Sequence, residues 1–248
     1  MNIILMAFAD EDKIRDYRNG KAPAEVALHD QLAKYYKLSF LNLAQEVQQR
    51  IANKEFTWKD DFKDLHPSPF GQEIYFQTIK TLLKNAAGQY RNESLVKSIL
   101  PAVQNKGYYG SGRYVSVDKA TALKGFSVTP NWQPNDKAET RARFVHVPVL
   151  EANQPGASFS FTFTGNAAGI AIVAGPDAGM IKYSVDGKPD KVMDLYTQWS
   201  GGLHLPWYLV LADGLPKGKH ILKVQITAQK NKGSKGNACR IVYFLANE

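Results

Sequence analysis

A single cysteine, Cys239, stands in the 248 residues, so no disulfide can form within the chain. That suits a reducing compartment without requiring one. No apolar run reaches the roughly eighteen residues of a membrane-spanning helix. The opening stretch from Ile3 to Phe8 is too short for a signal peptide and lacks its basic flank. The chain therefore reads as soluble, with no address visible and no membrane partner expected. Metal ligation is unsupported too, because no two histidines have ligand spacing and Cys239 is isolated. Internal repeats and low-complexity segments are also lacking, and the 44% hydrophobic content is ordinary for folded domains.

Charge is present in excess. Thirty-one basic against 23 acidic residues give a formal charge of +8, enough to consider nucleic acid or an acidic polysaccharide. The densest run, Lys217 to Lys235, places lysines at the tips of Gly-containing turns without the Arg and aromatic interleaving that stacks bases. It reads as a solvated loop face, and no nucleic-acid partner is expected.

Periodicity divides the chain. Residues 1–88 alternate short apolar runs with helical patterns, the form of an α/β layer. Strands are expected at Ile3 to Phe8 and Leu38 to Leu41. Helices are expected from Pro23, through Ala44 to Ile51, and from about Phe70, with Ile74, Tyr75, Thr78, Ile79 and Leu82 on one face. Two strands cannot make a doubly wound sheet, so the expectation is the remainder of a larger α/β domain that begins upstream. Residues 89–112, with three glycines, read as a linker.

From residue 113 to 248 the period is two. Phe159, Phe161 and Phe163 alternate with Ser158, Ser160 and Thr162, as on a strand with one buried face. Asp186-Gly187 is a hairpin turn. Nine strands are expected, at residues 113–118, 143–150, 158–164, 169–174, 180–185, 191–196, 207–211, 220–227 and 239–245. Their number and spacing indicate an all-β sandwich or jelly roll.

The segment richest in chemistry is Asp64-Leu-His-Pro-Ser-Pro-Phe-Gly71. It sets His66 after an acidic cluster and before a turn stiffened by Pro67 and Pro69, at the start of a helix. Such a histidine is either a general base or part of a capped turn. A second notable segment, Tyr196-Thr-Gln-Trp-Ser-Gly-Gly-Leu-His-Leu-Pro-Trp-Tyr208, offers Trp199, His204 and Trp207 as a platform for a sugar ring. The alternative is that both tryptophans pack in the sandwich core. His146 and His220 fall in strand patterns and receive no role.

Asp-Leu-His-Pro-Ser-Pro-Phe-Gly-Gln72 followed by a helix resembles the last sequence block of the SGNH/GDSL hydrolases, and His29 to Leu38 resembles the helix-then-strand segment that leads to it. The resemblance covers about residues 1–86. It implies a partial flavodoxin-like three-layer α/β domain, truncated at its N-terminal side, and ester hydrolysis by a Ser-His-Asp mechanism without a cofactor. His66 matches the family's histidine. The position three before it, where that family usually has its acid, is Lys63, so Asp64 is the nearest orienting carboxylate and Asp61 the alternative. No serine here follows Gly-Asp, which implies that the nucleophile lies outside this chain and that the chain alone is inactive. Members of that family that act on acylated polysaccharides are often joined to a β-sandwich. That implies an acetylated carbohydrate as substrate and an extracellular or periplasmic location. A non-catalytic carbohydrate-binding or interaction module is the alternative function.

Overall fold

The computed structural model describes residues 3–89, 101–103 and 107–248. The chain divides into two compact units, residues 1–104 and 105–248. Among the described residues no helix is long and apolar enough to cross a membrane.

In the first unit two short strands, β1 (Ile4–Met6) and β2 (Ser39–Leu41), run parallel with Leu5 opposite Phe40. Parallel neighbours need a crossover, which here carries α1 (Glu11–Arg18) and α2 (Ala24–Tyr36). Asn42 caps α3 (Leu43–Ala52) by accepting the Gln45 N–H at 3.1 Å, and the Ala44 N–H donates to the Ala7 carbonyl at 2.9 Å. A π-helical turn (Trp58–Phe62) and α4 (Pro69–Gln89) follow. Ile14, Leu43, Val47, Phe62, Ile74 and Tyr75 meet in one core.

Helix α1 was not expected from the sequence. Its eight residues are mostly charged, and only Ile14 is buried, so apolar periodicity gives no signal. Its start is set by Asp10, whose carboxylate accepts the Lys13 N–H at 2.8 Å and also binds the Lys13 ammonium.

Much of the expected linker, residues 90–100 and 104–106, lies outside the described residues. Its far end is fastened, because the Ser111 N–H donates to Asn247 Oδ1 at 3.1 Å.

The second unit is two sheets packed face to face. One has five strands in the order β11 (Lys191–Asp194), β10 (Met180–Val185), β13 (Gly218–Ile226), β8 (Ser158–Gly165), β4 (Ala120–Lys124). The other runs β5 (Ser127–Trp132), β7 (Val147–Ala152), β14 (Cys239–Asn247), β9 (Ala167–Ala174), β12 (Leu203–Ala212), β6 (Glu139–Thr140). A seventh strand, β3 (Gly112–Ser116), pairs with the C-terminal half of β14, whose N-terminal half pairs with β7. Phe159, Phe161, Leu222 and Ile181 from the first sheet pack against Ile170, Ile172 and Phe244 from the second.

Three of these strands, β4, β5 and β6, were missed. Each lies at the edge of its sheet, and the three are exposed but for Trp132 and a few part-buried residues, so the alternation that marks a half-buried strand is weak. Pro130 sits in β5, a position open to proline because an edge strand has one unpaired side. The strand expected from Arg143 begins only at Val147, since Arg143 (φ 93°) and His146 (φ 59°) adopt left-handed conformations that break a ladder.

Candidate functional site

His66 stands on a five-residue loop, 63–67, whose ends are drawn together by Ser68. The Ser68 N–H donates to the Phe62 carbonyl at 2.9 Å, its hydroxyl donates to the Asp61 carbonyl at 2.5 Å, and the Gly71 N–H donates to that hydroxyl at 3.3 Å. Helix α4 approaches the loop closely enough that a Cβ on Gly71 would lie 2.7 Å from Pro67 Cβ and 2.9 Å from the Phe62 ring. Only glycine fits there. Lys63, at φ 86° and ψ −78°, takes the sharp bend that starts the loop, a conformation costly for a residue with a side chain.

Phe62 is fully buried and anchors this arrangement. Its ring stacks on Trp58 at 4.9 Å and meets Tyr75 edge-on at 5.6 Å. The Tyr75 hydroxyl accepts the Ala9 N–H at 2.9 Å, just past the C-terminal end of β1. That is the end of a parallel sheet at which α/β proteins place their sites.

The imidazole of His66 is 87% exposed, and the Asp64 side chain is 65% exposed. Asp64 Oδ1 accepts the His66 backbone N–H at 2.6 Å and lies 3.7 Å from ring Nδ1. This is an Asx turn that holds the carboxylate on the Nδ1 side and leaves Nε2 toward solvent. At 3.7 Å the pair is not hydrogen-bonded, although such contacts are often long before substrate binds. Asp61 is engaged elsewhere: its carboxylate accepts the Thr57 N–H at 2.7 Å and the Thr57 hydroxyl at 3.1 Å, pinning the π-helical turn. Of the two candidate acids, Asp64 is the one the structure brings beside His66.

In the second unit Trp199 is 58% exposed and Trp207 38% exposed, and neither belongs to the buried core. Trp207 shares its side of β12 with Leu205, Leu209 and Leu211, all packed in or against that core, yet it stays at the surface. His204 differs from the sequence expectation. It is 2% exposed, its Nε2 lies 3.0 and 3.1 Å from the two oxygens of Asp136, and its ring has no edge to offer a sugar. The opposite side of the ring occupies the space of the missing side chain of Gly175, whose Cβ would fall 2.3 Å from Nδ1.

Sequence reasoning missed the charged network around His204. Arg240 is bidentate to Asp177 at 2.7 and 2.6 Å, has Glu151 at 3.5 Å, and lies over the Trp132 ring at 5.4 Å. Trp132 in turn meets His204 edge-on at 5.7 Å. Burial pushes the Asp177 carboxyl up, but the Arg240 hydrogen bonds and charge outweigh it and hold the group below the usual carboxylate range. Burial acts the same way on Asp136, and the His204 hydrogen bond and the Ala138 amide reverse it. These partners are 63 and 68 residues apart, and no local pattern reveals them.

The fold of this chain is similar to that of a two-domain esterase. Two crystal structures of a two-domain esterase active on acetylated mannans superpose over 99% of this chain. One has a TM-score of 0.72 at 16% identity and is covered over 63% of its length. The other, co-crystallized with mannopentaose, has a TM-score of 0.71 at 16% identity and is covered over 62%. The chain thus spans about three fifths of the length of the esterase it matches. No family model and no curated protein sequence matches it.

Proposed function

We propose that the first unit is the histidine-bearing part of an SGNH/GDSL-type carbohydrate esterase. His66 is the general base, Asp64 orients it, and the nucleophilic serine comes from sequence outside this chain. The supporting observation is a solvent-facing imidazole on a loop tied to a buried aromatic core, with a carboxylate fixed on its Nδ1 side. In this reading Nε2 takes the proton of the serine hydroxyl as its oxygen attacks the ester carbonyl and gives it to the departing sugar oxygen, leaving the acetyl group on the serine. Nε2 then takes a proton from water, whose oxygen displaces the serine and frees acetate. Asp64 holds the ring with Nδ1 protonated. Charge then builds on an imidazolium beside a carboxylate.

The substrate is an acetylated glycan, in keeping with the activity on acetylated mannans of the esterase that shares the fold. Acetate release from acetylated mannan by the protein joined to its upstream coding region tests the reading. Release is the expected result, and none from a folded preparation would overturn it.

Exposed Trp199 and Trp207 favour a second reading, a non-catalytic carbohydrate-binding module. It predicts that Trp199→Ala and Trp207→Ala abolish glycan binding with no ester hydrolysis at any stage. Retained binding in both variants removes it.

A further inference from the structure

The positive charge is concentrated in one unit. Residues 105–248 carry 17 basic against 10 acidic side chains, whereas residues 1–104 carry 14 against 13. On the outer face of the five-stranded sheet this excess is ordered by the strand register. One rung across the sheet reads Lys124, Ser158, Gln225, Lys182. The next reads Thr121, Ser160, Lys223, Ser184.

A sandwich needs polar residues on its outer faces, so polarity alone means little. Three features go further. First, two of the three cations are uncompensated: Lys124 and Lys223 have no carboxylate partner among the described residues, and Lys182 alone is paired, with Asp190 at 3.4 Å. Second, the hydroxyls of Ser158, Ser160 and Ser184 have no hydrogen-bond partner among the described residues. Third, β4 breaks register between Thr121 and Lys124, with Ala122 at φ 50°, and beside the bend lies a groove of about 370 Å³ lined by Ser158, Ser160, Lys182, Ser184, Lys223 and Gln225, with Asp190 also on its wall; Lys124 continues the rung beyond that lining.

We propose that this groove binds an anionic polysaccharide, a chain of uronic acid residues laid across the strands. Four strands about 4.8 Å apart set Lys124 and Lys182 roughly 14 Å from one another, so a chain along the rung meets a cation at each end and Lys223 beside its middle. Lysine ammoniums pair with the carboxylates, and the free serine hydroxyls and the Gln225 amide meet the sugar hydroxyls. No aromatic side chain stands in either rung, which leaves nucleic-acid bases without a stacking partner. The site uses neither His66 nor the exposed tryptophans, and it stands whether or not the esterase reading does.

The test is calorimetric titration of the chain with polygalacturonate, with neutral mannan and single-stranded DNA as parallel probes. Polygalacturonate is expected to bind, more weakly as salt rises, and more tightly than either other probe. Lys124→Glu with Lys223→Glu lowers that affinity by about tenfold or more, the scale of one charge-assisted hydrogen bond lost. Lys230→Glu with Lys232→Glu makes the same change in net charge on an exposed loop and leaves the affinity within roughly twofold, as expected of screened charges that lie off both rungs and outside the groove lining. The proposal fails if polygalacturonate does not bind at low salt, if both double variants lose affinity equally, or if DNA binds as tightly. Unchanged thermal midpoints in the variants exclude loss of fold as the cause.

Discussion

Removing the Asp177 carboxylate should unlock the second unit. Asp177→Ala deletes both short hydrogen bonds to Arg240, whose side chain is 11% exposed, and leaves Glu151 at 3.5 Å as its nearest acid. Breaking a buried ion pair by removing one partner costs about 3–5 kcal/mol, because the remaining charge stays desolvated. Asp177 itself is one third exposed, which lets water reach the guanidinium in the variant and favours the lower end, about 3 kcal/mol. For a unit of this length that is a fall of about 10 °C in thermal midpoint. Tryptophan fluorescence reports the transition, since Trp132 lies directly under Arg240. The double variant Asp177→Leu with Arg240→Met removes both charges and should cost less than Asp177→Ala alone. A single variant as stable as the wild type, or a double variant worse than the single, would refute the reasoning that an unpaired buried cation is the source of the loss.

Three further outcomes follow from the geometry. Gly71→Ala should lower the stability of the first unit by about 1–3 kcal/mol through overpacking, whereas Gly88→Ala, with nothing within 4 Å of the added Cβ, should raise it by about 0.5–1 kcal/mol; urea midpoints separate the two. When protonated, His220 donates from both ring nitrogens, Nδ1 to Asp186 at 2.6 Å and Nε2 to the Pro216 carbonyl at 2.8 Å, and these hydrogen bonds, that to Asp186 foremost, hold its pKa above the usual value. Its contribution is therefore complete below about pH 6.5 and is lost as pH rises through the raised value, so urea midpoints from pH 5.5 to 9 should fall in the wild type and flatten in His220→Gln. An equal slope in the two proteins would remove His220 as the cause. Burial pushes the Cys239 thiol up to about 12, so a thiol reagent should label the native protein far more slowly than the unfolded one.

Where the chain repeats a pattern against a buried face, the sequence was enough. The alternating phenylalanines of β8, the Asp186-Gly187 turn between β10 and β11, and the apolar face of α4 are each read from a few consecutive residues. The losses have a common physical cause. Helix α1 and strands β4 and β5 expose most of their surface, so their sequences carry little apolar period, and β6 is only two residues long.

At the candidate site, the Asp64–His66 pairing is local, two residues apart, and was legible as a motif. The loop's fastening was less so. It depends on Ser68 reaching back to Asp61 and Phe62, and on the absence of a side chain at Gly71. His204 could not be placed from sequence, because its burial is decided by Asp136, Trp132 and Gly175, which reach it from three separate segments.

His66 as the base of an ester hydrolase is tested most directly by steady-state acetate release from acetylated mannan, comparing the upstream-extended protein with its His66→Ala variant. Loss of the histidine of a Ser-His-Asp constellation lowers kcat by about 10⁶-fold while substrate binding persists. A fall of that order, with mannan affinity unchanged, is the predicted result. Equal kcat in the two proteins would contradict it.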